Sequence, residues 1–177
     1  MKPQVIVGIT VFGLCLAATT LFVKAAYEVK GVVQSKFEGI KVEQASSKLR
    51  QLDCLALNIY REAAHEPFEG KVGVAQVTIN RSNSNQYPKD ICDVVYQKSV
   101  VLDKVVCQFS WFCDSKHRMR PIDKDAYKEC YEVAKKVYLE GFRLTSLTEA
   151  LFYHADYVNP RWNKVRVAKF GKHIFYK

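Results

Sequence analysis

The six cysteines include no CxxC pair, and Cys107-x5-Cys113 has no histidine at finger spacing, which leaves a zinc finger or ribbon without ligands. No internal repeat and no low-complexity block occurs, so solenoids and disordered linkers are excluded. The basic residues form no run, tail or nucleic-acid module, although lysine and arginine exceed aspartate and glutamate by 27 to 18 and leave a formal charge of +9. Such a surplus suits a polyanionic partner, whether nucleic acid, anionic lipid or an acidic cell wall with its teichoic or peptide carboxylates; charge alone does not choose, and the missing nucleic-acid module puts nucleic acid behind the envelope.

A run that does occur is apolar. From Pro3 to Val23 there is no charge, and VIVGITVFGLCLAATTLFV at its centre is long enough to cross a bilayer. Residues 1–26 therefore read as a signal anchor or uncleaved export signal, with a signal peptide cut after Ala25 as the rival. Gly8, Gly13 and the threonines weaken the run, which leaves room for an anchor that later releases from the membrane. Either reading sends the remainder out of the cytoplasm, to the periplasm or cell envelope, with the membrane as one partner. Cys54, Cys92, Cys107, Cys113 and Cys130 would then be free to form disulfides, with at least one of the five left unpaired. The pairing itself stays open.

After a linker or short helix at 27–47 comes material for one domain, 48–177, expected as a monomer. Apolar Leu49, Leu52, Leu55, Ala56, Ile59 and Ala63 recur at helical spacing from Ser47 to His65, and Pro67 stops the helix. A second helix is predicted from about Glu69 to Arg81, then a loop at SNSNQYP, a short helix at Lys89–Gln97 and a strand at Val105–Phe109. A further helix covers Asp123–Glu140, stopped by Gly141. Beyond it the pattern turns aromatic and β-like, with Val165 and Val167 alternating with charge and Gly171 preceding Ile174 and Phe175. The fold class is α+β, helix-rich with a small β portion, preceded by the N-terminal anchor helix.

Where the first of these helices ends, Tyr60-Arg61-Glu62-Ala63-Ala64-His65-Glu66-Pro67-Phe68-Glu69-Gly70 gathers three carboxylates and a histidine. Glycosidic cleavage requires a carboxylic acid that is still protonated near neutral pH. Glu62, in a last helical turn, has the negative end of the helix dipole and partial burial to keep it so. Glu66, one turn on, adds like-charge repulsion as a helper. Taken by themselves, the same residues are equally two glutamates on a solvated helix end.

The run YREAAHEPFEGKVGVAQVTINR (60–81), however, resembles the opening motif of the SleB-type cell-wall hydrolases, the spore cortex-lytic enzymes and their relatives. The later stretches match in order: Cys107-Gln108-Phe109-Ser110-Trp111, ALFYHADYVNPRW from Ala150 to Trp162, and FGKHIFY from Phe170 to Tyr176. The resemblance implies a lysozyme-like fold and cleavage of the β-1,4 bond between N-acetylmuramic acid and N-acetylglucosamine in peptidoglycan glycan strands, as a lytic transglycosylase without a cofactor. Glu62 matches the family's catalytic glutamate. Arg61 and His65 stand where the family often has a small residue and a glycine, so the surroundings of the acid depart from the pattern.

Substrate-binding candidates are Gln108, Ser110 and His154 by hydrogen bonding to N-acetyl groups, and Trp111 and Tyr153 by stacking on sugar rings; Phe109 reads as core. A metal site from His154, His173 and Asp156 is set aside, so no metal is expected. Competing readings are a hydrolysing muramidase, a non-catalytic wall-binding protein and a zinc amidase; a phage endolysin with a releasable anchor is the narrower version of the first.

Overall fold

The computed structural model describes residues 4–177, with side chains described at Phe22, at Lys24 and from Tyr27 onward. The chain divides into two compact units, residues 1–47 and 48–177. A long helix α1, Gln4–Ala63, contributes to both. In the first unit its side chains from Tyr27 to Ser46 are exposed, apolar and charged alike.

Among the described residues no helix is long and apolar enough to cross a membrane. The anchor helix expected at 1–26 is corrected accordingly, and with it the membrane partner, the inner-membrane location and the releasable-anchor reading. Much of that segment lies outside the described residues: 1–3 altogether, and the side chains of 4–21. The expectation rested on the length of this run and its lack of charge, the two features a span requires of a sequence. Here the helix continues without a break through Lys24, Glu28, Lys30, Lys36 and Glu38.

The second unit is built around α2, Phe68–Asn83. Its sequence, FEGKVGVAQVTINRSN, spaces valine, alanine and isoleucine among polar residues and leaves no continuous polar face, and a helix of that kind is stable when enclosed. Every residue from Gly70 to Ile79 is buried. On one side it shares a core with Leu52, Leu55, Ala56, Ile59 and Ala63 of α1, with α3 (Ile91–Val95) and with α6 (Lys124–Tyr138). Each fully buried Val, Leu, Ile or Phe contributes roughly 1.5–3 kcal/mol. Lys71 enters this packing because its Nζ reaches Glu129 Oε1 at 2.6 Å. Asp123 begins α6 by accepting from the N–H groups of Asp125 and Ala126, and Asp90 begins α3 in the same way.

On the other side of α2 lies a three-stranded antiparallel sheet of β3 (Phe152–Ala155), β4 (Arg166–Phe170) and β5 (His173–Tyr176), ordered β3-β5-β4. Phe175 of β5 is fully buried against Gly73, where an added Cβ would fall on its ring, and it joins Val77, Leu147 and Ala150 in a second core. Gly171 turns β4 into β5 with φ +55°, a conformation that favours glycine. A two-stranded hairpin, β1 (Lys98–Val101) with β2 (Lys104–Cys107), projects with nearly all its side chains exposed. It leads into two short helices, α4 (Ser110–Cys113) and α5 (Ser115–Met119). Disulfides join Cys54 to Cys92, tying α1 to α3, and Cys107 to Cys113, closing the segment around α4; Cys130 is a buried free thiol. Burial pushes the Cys130 thiol up to about 11.

Candidate active site

Glu62 lies in the last turn of α1, half-buried, on the wall of a cleft of about 380 Å³. Three parts of the chain close that cleft: the end of α1, the segment from Cys107 to Trp111, and the strands carrying Tyr153, His154 and His173. Burial of its carboxyl group raises the pKa of Glu62 above the usual carboxylate range. Two neighbours oppose that rise: the Tyr153 hydroxyl donates to Glu62 Oε2 at 3.0 Å, and the Arg81 guanidinium lies close by. Tyr153 itself is held well above the ordinary tyrosine range, first by burial and then by Glu62, and so remains a donor. Burial thus shifts Glu62 towards its protonated form, while the Tyr153 hydroxyl is placed to donate to its carboxylate.

Arg81, near the end of α2, is buried behind this pair. Its Nε donates to the Leu151 carbonyl at 2.8 Å, and its guanidinium lies 5.1 Å from the Phe109 ring and 5.4 Å from that of Tyr87. With the Gln108 amide oxygen turned towards it, Nη1 and Nη2 donate at 3.2 and 3.3 Å. Gln108 therefore binds the back of the site through Arg81 while also lining the cleft. Sequence reasoning passed over Arg81; the signal available was an arginine near the end of a helix inside the matched motif.

The other candidates separate. Ser110 is exposed on the cleft wall at the start of α4. Trp111 also lines the cleft but is buried, its Nε1–H donating to Asn58 Oδ1 at 2.9 Å, while Asn58 Nδ2 donates to Thr78 Oγ1 at 3.2 Å. The indole thus anchors the α4 segment to α1 and α2, and Phe109 is core as expected. His154 stacks on Tyr176 and sits between two partners, the Ala155 carbonyl at Nδ1 and the Tyr176 hydroxyl at Nε2, both at 2.8 Å. A carbonyl can only accept, so Nδ1 carries the proton and the tyrosine donates to Nε2. Both ring nitrogens are thereby satisfied within the protein. His173 is buried edge-on to Tyr153, and that burial lowers its pKa towards a neutral ring.

Glu66 is not the source of the raised pKa of Glu62. Its Oε2 accepts the Lys172 N–H at 2.8 Å, bracing the corner between α1 and α2 against the β4–β5 turn. Asp156 pairs with Lys169 at 2.8 Å. Among the described residues no group of three or more His, Cys, Asp or Glu side chains is placed to hold a metal ion.

Comparison with known proteins agrees with the sequence motifs. The spore cortex-lytic enzyme of Bacillus subtilis (strain 168) is 28% identical over 128 residues, covering 68% of this chain and 35% of that protein. That of Oceanobacillus iheyensis is 27% identical over 145 residues, 78% of this chain and 45% of the relative. The chain thus spans less than half the length of these curated relatives. Among solved structures, the catalytic domain of the Bacillus cereus SleB protein superposes with a TM-score of 0.53 at 25% identity, covering 72% of this chain and 89% of that one. The catalytic domain of the germination-specific lytic transglycosylase SleB from Bacillus anthracis gives 0.52 at 26%, with 72% and 93% covered. The cell wall hydrolase family model matches residues 65–176, beginning just after Glu62 and running through Gln108, Tyr153 and His173. On that match, which takes in more than half of its length, the chain belongs to the cell wall hydrolase family.

Proposed function

We propose that the unit 48–177 cleaves the β-1,4 bond between N-acetylmuramic acid and N-acetylglucosamine in peptidoglycan strands as a lytic transglycosylase. The observation that carries this reading is Glu62: a carboxyl group raised in pKa by burial, at the wall of an open cleft, with one oxygen held by the Tyr153 hydroxyl. The lytic transglycosylase and cortex-lytic relatives support the substrate and the reaction class.

In the first step the protonated Glu62 gives its proton to the glycosidic oxygen as the bond to the muramoyl anomeric carbon breaks. The carboxylate left behind is stabilised by the Tyr153 O–H and the Arg81 guanidinium. It then takes the proton of the muramoyl 6-hydroxyl as that oxygen bonds to the anomeric carbon. The products are a free N-acetylglucosamine hydroxyl and a 1,6-anhydro end, and Glu62 is again protonated. No water is consumed and no second carboxylate is needed, which suits a site whose neighbouring Glu66 is occupied by the Lys172 N–H. Gln108 and Ser110 remain on the wall to meet the sugar.

The test is mass spectrometry of wall digested by the full chain and by Glu62→Gln. Anhydro ends from the wild type alone are expected. Reducing ends, one water heavier, would make the enzyme a hydrolysing muramidase, and equal activity of the variant would remove Glu62 from the chemistry.

A further inference from the structure

Beside Glu62 lies a second recess, of about 240 Å³, formed by the end of α1 and the turn after it and, opposite, by α5 and the residue that follows. Arg61, Glu66, His117 and Arg120 line it, and Arg61, Glu62 and His117 also line the glycan cleft. The two spaces therefore share the edge on which the acid sits.

Charge in the recess is unbalanced. A guanidinium offers five N–H donors. For Arg61 one of them goes to the Arg118 carbonyl, Nη2 to O at 3.1 Å, and Nε is buried without a partner. Neither Arg61 nor Arg120 is in an ion pair among the described residues. Of the acidic groups nearby, the Glu66 carboxylate accepts the neutral Lys172 N–H, which leaves its charge in the recess, and Asp114 caps α5 while lying 3.7 Å from His117 Nδ1. Glu62 is disposed to be neutral by its burial. Two guanidinium groups with unused donors thus share the lining with the single Glu66 carboxylate, and a guanidinium fork suits a planar acceptor with two oxygens.

A wall strand carries such acceptors next to the bond to be cut wherever the muramoyl residue keeps its peptide stem, which includes and ends in free carboxylates. We propose that the recess is an anion subsite of the cleft and takes a carboxylate of the peptide stem on the muramoyl residue beside the scissile bond. The proposal rests on the glycosidase reading above. Its consequence is a substrate preference: a stem held by Arg61 and Arg120 fixes the muramoyl ring against Glu62, so strands that keep their peptides are cut better than strands without them.

The experiment compares the full chain on wall glycan with intact stems and on the same glycan stripped of its stems by an amidase. Wild type is expected to show a kcat/KM about tenfold higher on the stem-bearing strands, the worth of one charge-assisted contact. Arg120→Gln, a change at an exposed residue that leaves the packing alone, should bring the ratio of the two substrates to within about twofold of one, mainly through KM. The free stem peptide should inhibit, and inorganic phosphate at the same concentration should not. Equal cleavage of the two substrates by wild type, a ratio unmoved in Arg120→Gln, or inhibition by phosphate but not by peptide would overturn the subsite. Failure of wild type to cut either substrate, or full activity in Glu62→Gln, would overturn the glycosidase reading and the subsite with it.

Discussion

Replacing Tyr153 by phenylalanine keeps the ring that packs against His173 and Phe175 and removes only the hydroxyl that donates to Glu62 Oε2 at 3.0 Å. A hydrogen bond to a charged partner is worth roughly 1.5–3 kcal/mol. The bond counts fully only when Glu62 is a carboxylate, after it has given up its proton, so its loss falls on the reaction barrier. At about 1.4 kcal/mol per tenfold in rate, turnover should drop about 10- to 100-fold. The sign of the pH effect follows from the same contact. Tyr153 opposes the rise that burial imposes on the Glu62 pKa, so its removal lets that pKa climb further. Because the reaction starts from the protonated acid, the alkaline limb of the pH–rate profile should move to higher pH while the plateau falls. Rates of anhydro-end formation between pH 4 and 10 on purified wall would measure both. A plateau within threefold of wild type, or an alkaline limb that stays put or moves down, would refute the role assigned to this hydroxyl.

Glu62→Gln should be the more stable protein in alkaline solution. The folded state disfavours the charged form of Glu62, so wild type loses stability as pH rises from the ordinary carboxylate range through the raised pKa, whereas glutamine has no charge to bury. Thermal unfolding across pH should show the two curves diverging upward from acid, and parallel curves would count against the burial argument. Serines at Cys54 and Cys92 release a closure spanning 38 residues, for which chain entropy gives about 4 kcal/mol; urea unfolding should show a loss of about 2–5 kcal/mol. Gly73→Ala drives a methyl group into the Phe175 ring and should cost about 1–3 kcal/mol by the same measurement, with Phe175→Leu in the same chain restoring part of it.

The elements with a strong period were legible. The inner stripe of α6, its Asp123 cap and the Gly141 stop all stand in the sequence, as does the end of α1 before Pro67. The hairpin was half legible: β2 overlaps the strand expected at Val105–Phe109, but the Lys98–Val101 strand is exposed throughout and carries no alternation, and its turn uses Leu102 and Asp103 at positive φ instead of glycine or asparagine. Helices of four and five residues, α4 and α5, are too short to leave a period. At the site, the motif picked out Glu62, but the choice of Tyr153 as its partner joins residues 91 apart and is set by packing of the sheet on α2. The inward turn of Trp111 has a comparable cause. Asn58 is buried in the core and needs an acceptor's partner for its amide oxygen, which the indole supplies across 53 residues. The N-terminal expectation rested on the length and lack of charge of a run whose side chains lie largely outside the described residues.

The sheet order β3-β5-β4 has a bearing on how this domain comes into being. The strand that joins the other two is the one furthest along the chain, and it brings Phe175 to Gly73 and the Lys172 N–H to Glu66. Tyr153 is made before its partner Phe175, which aligns its strand from further along the chain. The contact between Glu62 and Tyr153 therefore depends on residues 173–176, and the activity proposed for the unit would need that last strand in place.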